Sequence, residues 1–206
     1  MADFYLASHS ARRRDLLRQI GARFETLLTR SGPPRGPDTS EALLDGEAPE
    51  HYVERIAREK CENGVRAMGA RSLVPKPVLG ADTIVIVEGR ILGKPQDLAQ
   101  ATSFLQQLSG RTHEVRTAIA LAVPGRRDPV IHTSVCSSLV SLRVLDAEQI
   151  ARYCASGEPF DKAGGYAIQG RAAMFIDKLE GSYSGVVGLP LAQTATLLAR
   201  AGVHLL

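Results

Sequence analysis

Residues 77–95, PVLGADTIVIVEGRILGKP, constrain this chain more than any other stretch. They are dense in β-branched residues and carry a turn signal at Glu88-Gly89, so they read as a β-hairpin. Val78, Leu79, Ile84, Val85 and Ile86 surround Asp82, which therefore occupies a strand position where a carboxylate is buried unless it has a partner. With a three-residue loop, Val87-Glu88-Gly89, and glycine in the left-handed conformation, Ile86 faces Arg90 and Asp82 faces Lys94. Such a pair is either a structural ion pair or a carboxylate able to hold a cation or activate water beside a phosphate-binding lysine.

The hairpin sits in an alternation of strands and helices. FYLAS reads as a strand, ARRRDLLRQIG as a helix closed by Gly21, and RFETLLT as a second strand. Residues 30–48 read as a long loop rich in Pro, Gly, Ser and Asp, and loops of that length are usually functional or mobile. Pro49 opens a helix through EHYVERIAREKCENGVRAM. After the hairpin come a helix (DLAQATSFLQQLSG), a strand (EVRTAIALAV), a turn at PGRRDP and a long strand (VIHTSVCSSLVSL). A helix from Asp146, a glycine-rich loop, a strand (AAMFIDKL), a loop at GVVGLP and a last helix complete the chain. Two adjacent hairpins exclude a purely parallel sheet, so the expected fold is α/β with a mixed sheet in one domain over residues 1–206.

Two further stretches invite a ligand. In LASHSARRRDLL, Ser8 or Ser10 can cap the helix, and Arg13 lies one turn ahead of the apolar line through Leu16, Leu17 and Ile20, with Arg12 and Arg14 beside it. A helix N-terminus already carries unpaired N–H donors and positive partial charge, so cations placed there cost about 0.3–1 kcal/mol each unless an anion comes to them. The combination describes either a phosphate seat or a solvated basic turn. The other stretch is GEPFDKAGGYAIQGRAAMFI, whose Gln169 amide could meet the carbonyl and imide of a pyrimidine, although glycine-rich loops also serve as plain connectors.

Composition narrows the partners. A formal charge of +3 is too small for a nucleic-acid coat, and five tyrosines, five phenylalanines and no tryptophan show no interleaving with a basic run. No segment is long and apolar enough for a membrane span, and Met1-Ala2-Asp3 leads straight into a strand, so a cytoplasmic protein is expected. Cys61, Cys136 and Cys154 are too few and too scattered for a disulfide framework or a zinc motif, which leaves oxygen ligands and a hard cation such as magnesium or manganese for any metal.

Taken together, LASHSARRRDLL, YVERIAREKC, GADTIV with GKP, LSGRTHEVRTAIAL and GEPFDKAGGYAIQGRAAMFIDKLEGSYSGVVGLPL resemble the Maf family of nucleoside triphosphate pyrophosphatases over nearly the whole chain. Tyr166, Ala167 and Gln169 match the branch that hydrolyses dTTP and UTP, where the 7-methylguanosine triphosphate branch usually has serine, phenylalanine and glutamate. The resemblance implies an elongated two-lobed domain with a cleft, hydrolysis to monophosphate and pyrophosphate with a divalent cation, a homodimer, and a role in cleansing the nucleotide pool linked to arrest of division. Carried over by position, Ser8, Arg12 and Arg13 would hold the triphosphate, Lys60 and Lys94 would neutralise it, Asp82 would be general base or metal carboxylate, and Gln169 would face the base. Two departures stand out: Ala11 replaces a usual proline, and the glutamate that usually follows the second strand has no counterpart in register, so Glu41 or Asp38 takes its place, with Glu41 preferred as catalytic and metal residue. The rival readings are a nucleotide sensor without turnover, argued against by Asp82 and Lys94, and the same reaction on another base, such as 7-methylguanosine or a damaged purine, argued against by the Tyr166–Gln169 loop.

Overall fold

The computed structural model describes residues 2–28 and 39–205. The apolar run becomes strand β3 (Val78–Val87), buried along its whole length except at Thr83. Around it stand β1 (Phe4–Leu6), β2 (Phe24–Thr26), β4 (Arg90–Leu92), β5 (Thr112–Val123), β6 (Val130–Leu142) and β7 (Ile176–Glu180). They form one seven-stranded sheet in the order β2-β1-β3-β5-β6-β7, with β4 also on β3. β1 runs parallel to β2 and β3, whereas β4 is antiparallel to β3 and β7 to β6, so the sheet is mixed as the hairpin pattern requires. Helices α1 (Ala11–Gln19), α2 (Pro49–Ala70), α3 (Leu98–Leu108), α4 (Ala147–Ala155), α5 (Tyr183–Val187) and α6 (Leu191–Arg200) accompany it.

Three details depart from the sequence expectation. Val87 pairs with Arg90 and Val85 with Leu92, so the hairpin turns on two residues, Glu88 and Gly89, both at positive φ (49° and 74°). That left-handed pair matches strand twist better than the expected three-residue loop. The ladder stops at Leu92, and Asp82 and Lys94 are not a cross-strand pair. Residues 171–175 wind as a 3₁₀ turn, so the strand expected from Ala172 starts only at Ile176. The expected loop at GVVGLP begins inside α5.

The chain forms two compact units: Met1–Asp82 with Thr117–Cys136 and Gly188–Leu206, and Thr83–Arg116 with Ser137–Val187. In the first, α2 lies against β1 and β3 with glycine at both points of approach. A Cβ on Gly64 would come within 2.6 Å of Val78 and 2.7 Å of Ala7, and one on Gly80 within 2.6 Å of the Cys61 nitrogen and 2.7 Å of the Ala57 oxygen. Neither contact leaves room for a methyl group. Leu6, Leu17, Val53, Ile56, Leu79 and Leu198 fill the core there. Cys61 is a packing residue whose Sγ donates to Val78 O, and burial pushes its thiol up to about 12.

The second unit closes over Leu105, Leu108, Val140, Ile150, Tyr153 and Phe175. Its helices start at side-chain caps: Asp97 accepts from Gln100 N, and Asp146 with Gln149 forms a capping box.

Candidate active site

In the first unit β1 passes through Ala7-Ser8-His9-Ser10 into α1. Ser10 is the N-cap and accepts from Arg13 N at 3.4 Å, while Ser8 Oγ accepts from Ser10 N at 3.2 Å. The first turn of α1 holds three arginines and no acid. Arg13 is only 9% exposed. Its Nε donates to Gly188 O at 2.7 Å, and the same guanidinium donates to Ala81 O at 2.8 Å and Ser8 Oγ at 3.4 Å. Arg13 thus ties the start of α1 to the strand residue directly before Asp82. Burial lowers its pKa and the charges of Asp82 and Glu41 raise it, but a guanidinium keeps its proton. Arg12 is half-buried beside it.

Asp82 closes the first unit at 8% exposure. Lys60 Nζ lies 2.7 Å from Asp82 Oδ1 and 2.7 Å from Glu41 Oε1, so one ammonium joins two carboxylates. The local reason is steric: Gly80 brings β3 onto the backbone of α2 at Ala57 and Cys61, which sets Lys60 beside Asp82 two residues further along the strand. Residues 39–47 are laid along the same helix by side chains at helical spacing. Asn63 donates to Thr39 Oγ1 at 2.7 Å, Tyr52 OH to Glu41 O at 2.9 Å, and Arg55 to Ala42 O at 3.1 Å and to both oxygens of Glu47 at 2.6 and 2.7 Å. Burial, helped by the charges of Asp82 and Glu41, pushes the Tyr52 hydroxyl up to about 12, which keeps it a donor. The Arg55 hydrogen bond lowers the Glu47 pKa.

The structure therefore brings together Ser8 with Arg13, and Glu41 with Lys60 and Asp82. Asp38 lies outside the described residues. Tyr52, Arg55 and Asn63 are supporting residues that motif reading overlooks. Their only sequence signal is positions 52, 55, 60 and 63 falling on one helical face within and just after YVERIAREKC.

The second unit holds Lys94 and Gln169, both exposed. Gly164 N donates to Gly93 O at 3.0 Å, which ties the glycine loop to the turn bearing Lys94. Gly164 and Gly165 both have positive φ (68° and 71°), and Cβ on Gly164 would come within 2.9 Å of Val85. At the far end of the loop Glu158 accepts from Arg171 N at 3.0 Å and from Tyr153 OH at 3.2 Å. The free amide of Gln169 stands between these anchors on turn residues.

Glu41 and Asp82 converge on a single cation, the Lys60 ammonium. Among the described residues no cluster of three acidic, His or Cys side chains forms. Two carboxylates completed by water and substrate phosphate are the ligand set magnesium prefers, so these residues fit a hard divalent ion.

Comparison with known proteins identifies the family. A family model described as Maf-like protein matches residues 3–201. The chain is 51% identical over 205 residues to a dTTP/UTP pyrophosphatase of Aromatoleum aromaticum, covering 99% of this chain and 98% of the relative. It is 50% identical over 199 residues to a dTTP/UTP pyrophosphatase of Nitrosomonas europaea, covering 97% and 94%. Matched end to end by the family model and by these relatives, the chain belongs to the Maf family.

Proposed function

We propose that the chain is a dTTP/UTP pyrophosphatase that releases nucleoside monophosphate and pyrophosphate. The observation that carries this is Lys60 joining Glu41 and Asp82 next to the arginine-bearing end of α1, in a chain about half identical to enzymes of that name. Hydrolysis of a phosphoanhydride needs charge neutralised, water placed in line and little covalent help. The helix start with Ser8, Arg12 and Arg13 supplies the anion seat, and Arg13 also fixes the peptide ahead of Asp82. Asp82 is the general base for the attacking water, and Lys60 and Lys94 neutralise charge on the phosphates. Glu41 and Asp82 would hold magnesium or manganese, which when bound supplies further charge neutralisation on the phosphates. Gln169 reads the pyrimidine edge with one donor and one acceptor.

The finer points follow the same reading: a Maf-type domain, a homodimer, and work on the cytoplasmic nucleotide pool. No helix among the described residues is long and apolar enough to cross a membrane. The test is product analysis with dTTP, UTP, CTP, 7-methyl-GTP and ATP, with magnesium, with manganese and with chelator. Metal-dependent monophosphate and pyrophosphate from dTTP and UTP are expected; binding without turnover would make the protein a sensor.

A further inference from the structure

His113, on β5, is 3% exposed in the second unit. Its Nε2 lies 2.5 Å from the hydroxyl of Tyr166, and the two rings meet edge to face at 89° with centroids 5.3 Å apart. Its Nδ1 is buried and has no hydrogen-bond partner among the described residues. A neutral imidazole offers one donor and one acceptor, so whichever tautomer forms, one nitrogen is used on Tyr166 and the other is left unsatisfied. Phenylalanine would fill the same volume without that penalty, and an imidazole here needs a return beyond packing. Burial lowers the His113 pKa to about 4, so the ring stays neutral at ordinary pH.

What His113 holds is the entrance to the Gln169 turn. Tyr166 follows two left-handed glycines and precedes Gln169 by three residues. The exit is held by Glu158, which accepts from Arg171 N and whose carboxylate lies against Gly170, 2.2 Å from where a Cβ would stand. Between Tyr166 and Arg171 lie Ala167, Ile168, Gln169 and Gly170, a span short enough for the placement of Tyr166 to bear on that of the amide.

We propose that His113 is a positioning residue for base recognition, acting through the Tyr166 hydroxyl to fix the loop that presents Gln169, without touching the nucleotide. The proposal rests on the dTTP/UTP reading above. A clamp of this kind sets substrate binding and base preference and leaves the chemical step alone.

The test is steady-state kinetics with dTTP, UTP and CTP on the full-length protein and on His113→Phe, Tyr166→Phe, the double variant and His113→Gln, with melting curves for each. The two phenylalanine variants are expected to raise KM for dTTP and UTP about tenfold, with kcat within about twofold and preference over CTP reduced. The double variant should be no worse than either single one, and His113→Gln, whose amide nitrogen sits near the place of Nε2, should recover most of the loss. If His113→Phe does not fold, Tyr166→Phe decides the matter, since it removes a single oxygen. Lowered melting temperatures with KM and base preference unchanged would overturn the proposal, as would an equal fall of kcat on all three nucleotides. A wild-type protein inert toward dTTP and UTP would instead sink the pyrophosphatase reading and this inference with it; active wild type with indifferent variants sinks only the clamp.

Discussion

The two units handle polar groups in opposite ways. In the first, Asp82, Lys60, Glu41 and Arg13 are charged and close together, with Asp82 and Arg13 buried, Lys60 half-buried and Glu41 exposed. In the second, the Gln169 turn is held by His113 and Tyr166, and by Glu158 accepting from a backbone N–H and a tyrosine. Charges in a low-dielectric setting act strongly on a phosphate and suit the chemical step. An amide donor and acceptor held in a fixed position, as on Gln169, discriminate between bases by leaving the wrong one unpaired. The difference teaches that damage to the Asp82, Lys60 and Glu41 cluster should appear in kcat for every nucleotide, and damage to the Gln169 turn in the choice among nucleotides.

The largest expected effect comes from breaking the charged unit. Asp82→Asn should lower kcat about 10³-fold while dTTP binding, read by calorimetry, stays within about threefold. Glu41→Gln should raise the metal concentration for half-maximal activity about tenfold, read by magnesium titration. A steric way to separate the same groups is Gly80→Ala, which drives a methyl group into the backbone of α2 at Ala57 and Cys61. It should cost about 1–3 kcal/mol in urea unfolding and lower kcat as Lys60 leaves Asp82.

Smaller effects sharpen the side of the Gln169 turn. The His113 pKa falls from 6.5 in the unfolded chain to about 4 when buried, so between those values the unfolded state binds more protons. Stability from this group is complete above pH 6.5 and declines as the pH falls toward 4, by at most about 3 kcal/mol. His113→Gln should flatten that part of the stability profile, read as the difference from wild type in urea unfolding at several pH values. Gln169→Ala should change the ratio of kcat/KM for dTTP over CTP about tenfold and leave kcat nearly unaltered.

Much of this was legible before the structure. A carboxylate inside a strand dense in β-branched residues marks Asp82 as unusual, and arginines at a helix start mark α1, because both oppose simple local rules. The length and start of α2 follow from Pro49 and its apolar spacing. The partner of Asp82 was not legible. Lys60 is 22 residues away, and its approach depends on Gly80 and Gly64 admitting a helix backbone to the sheet, a tertiary fact with no local pattern. The hairpin register slipped by one because Glu88 takes a left-handed conformation that usually falls to glycine or asparagine. His113 sat unnoticed in THEVRTAIALAV, since nothing in that strand says which face meets Tyr166, 53 residues on.

The most direct measurement crosses the two units: kcat and KM for dTTP, UTP and CTP with magnesium, on wild type, Asp82→Asn and Gln169→Ala. The account predicts that Asp82→Asn loses kcat equally on dTTP and UTP with their ratio preserved, and that Gln169→Ala keeps kcat while its preference for dTTP and UTP over CTP collapses. Near-normal turnover by Asp82→Asn, or a preference unmoved in Gln169→Ala, would contradict the division of labour.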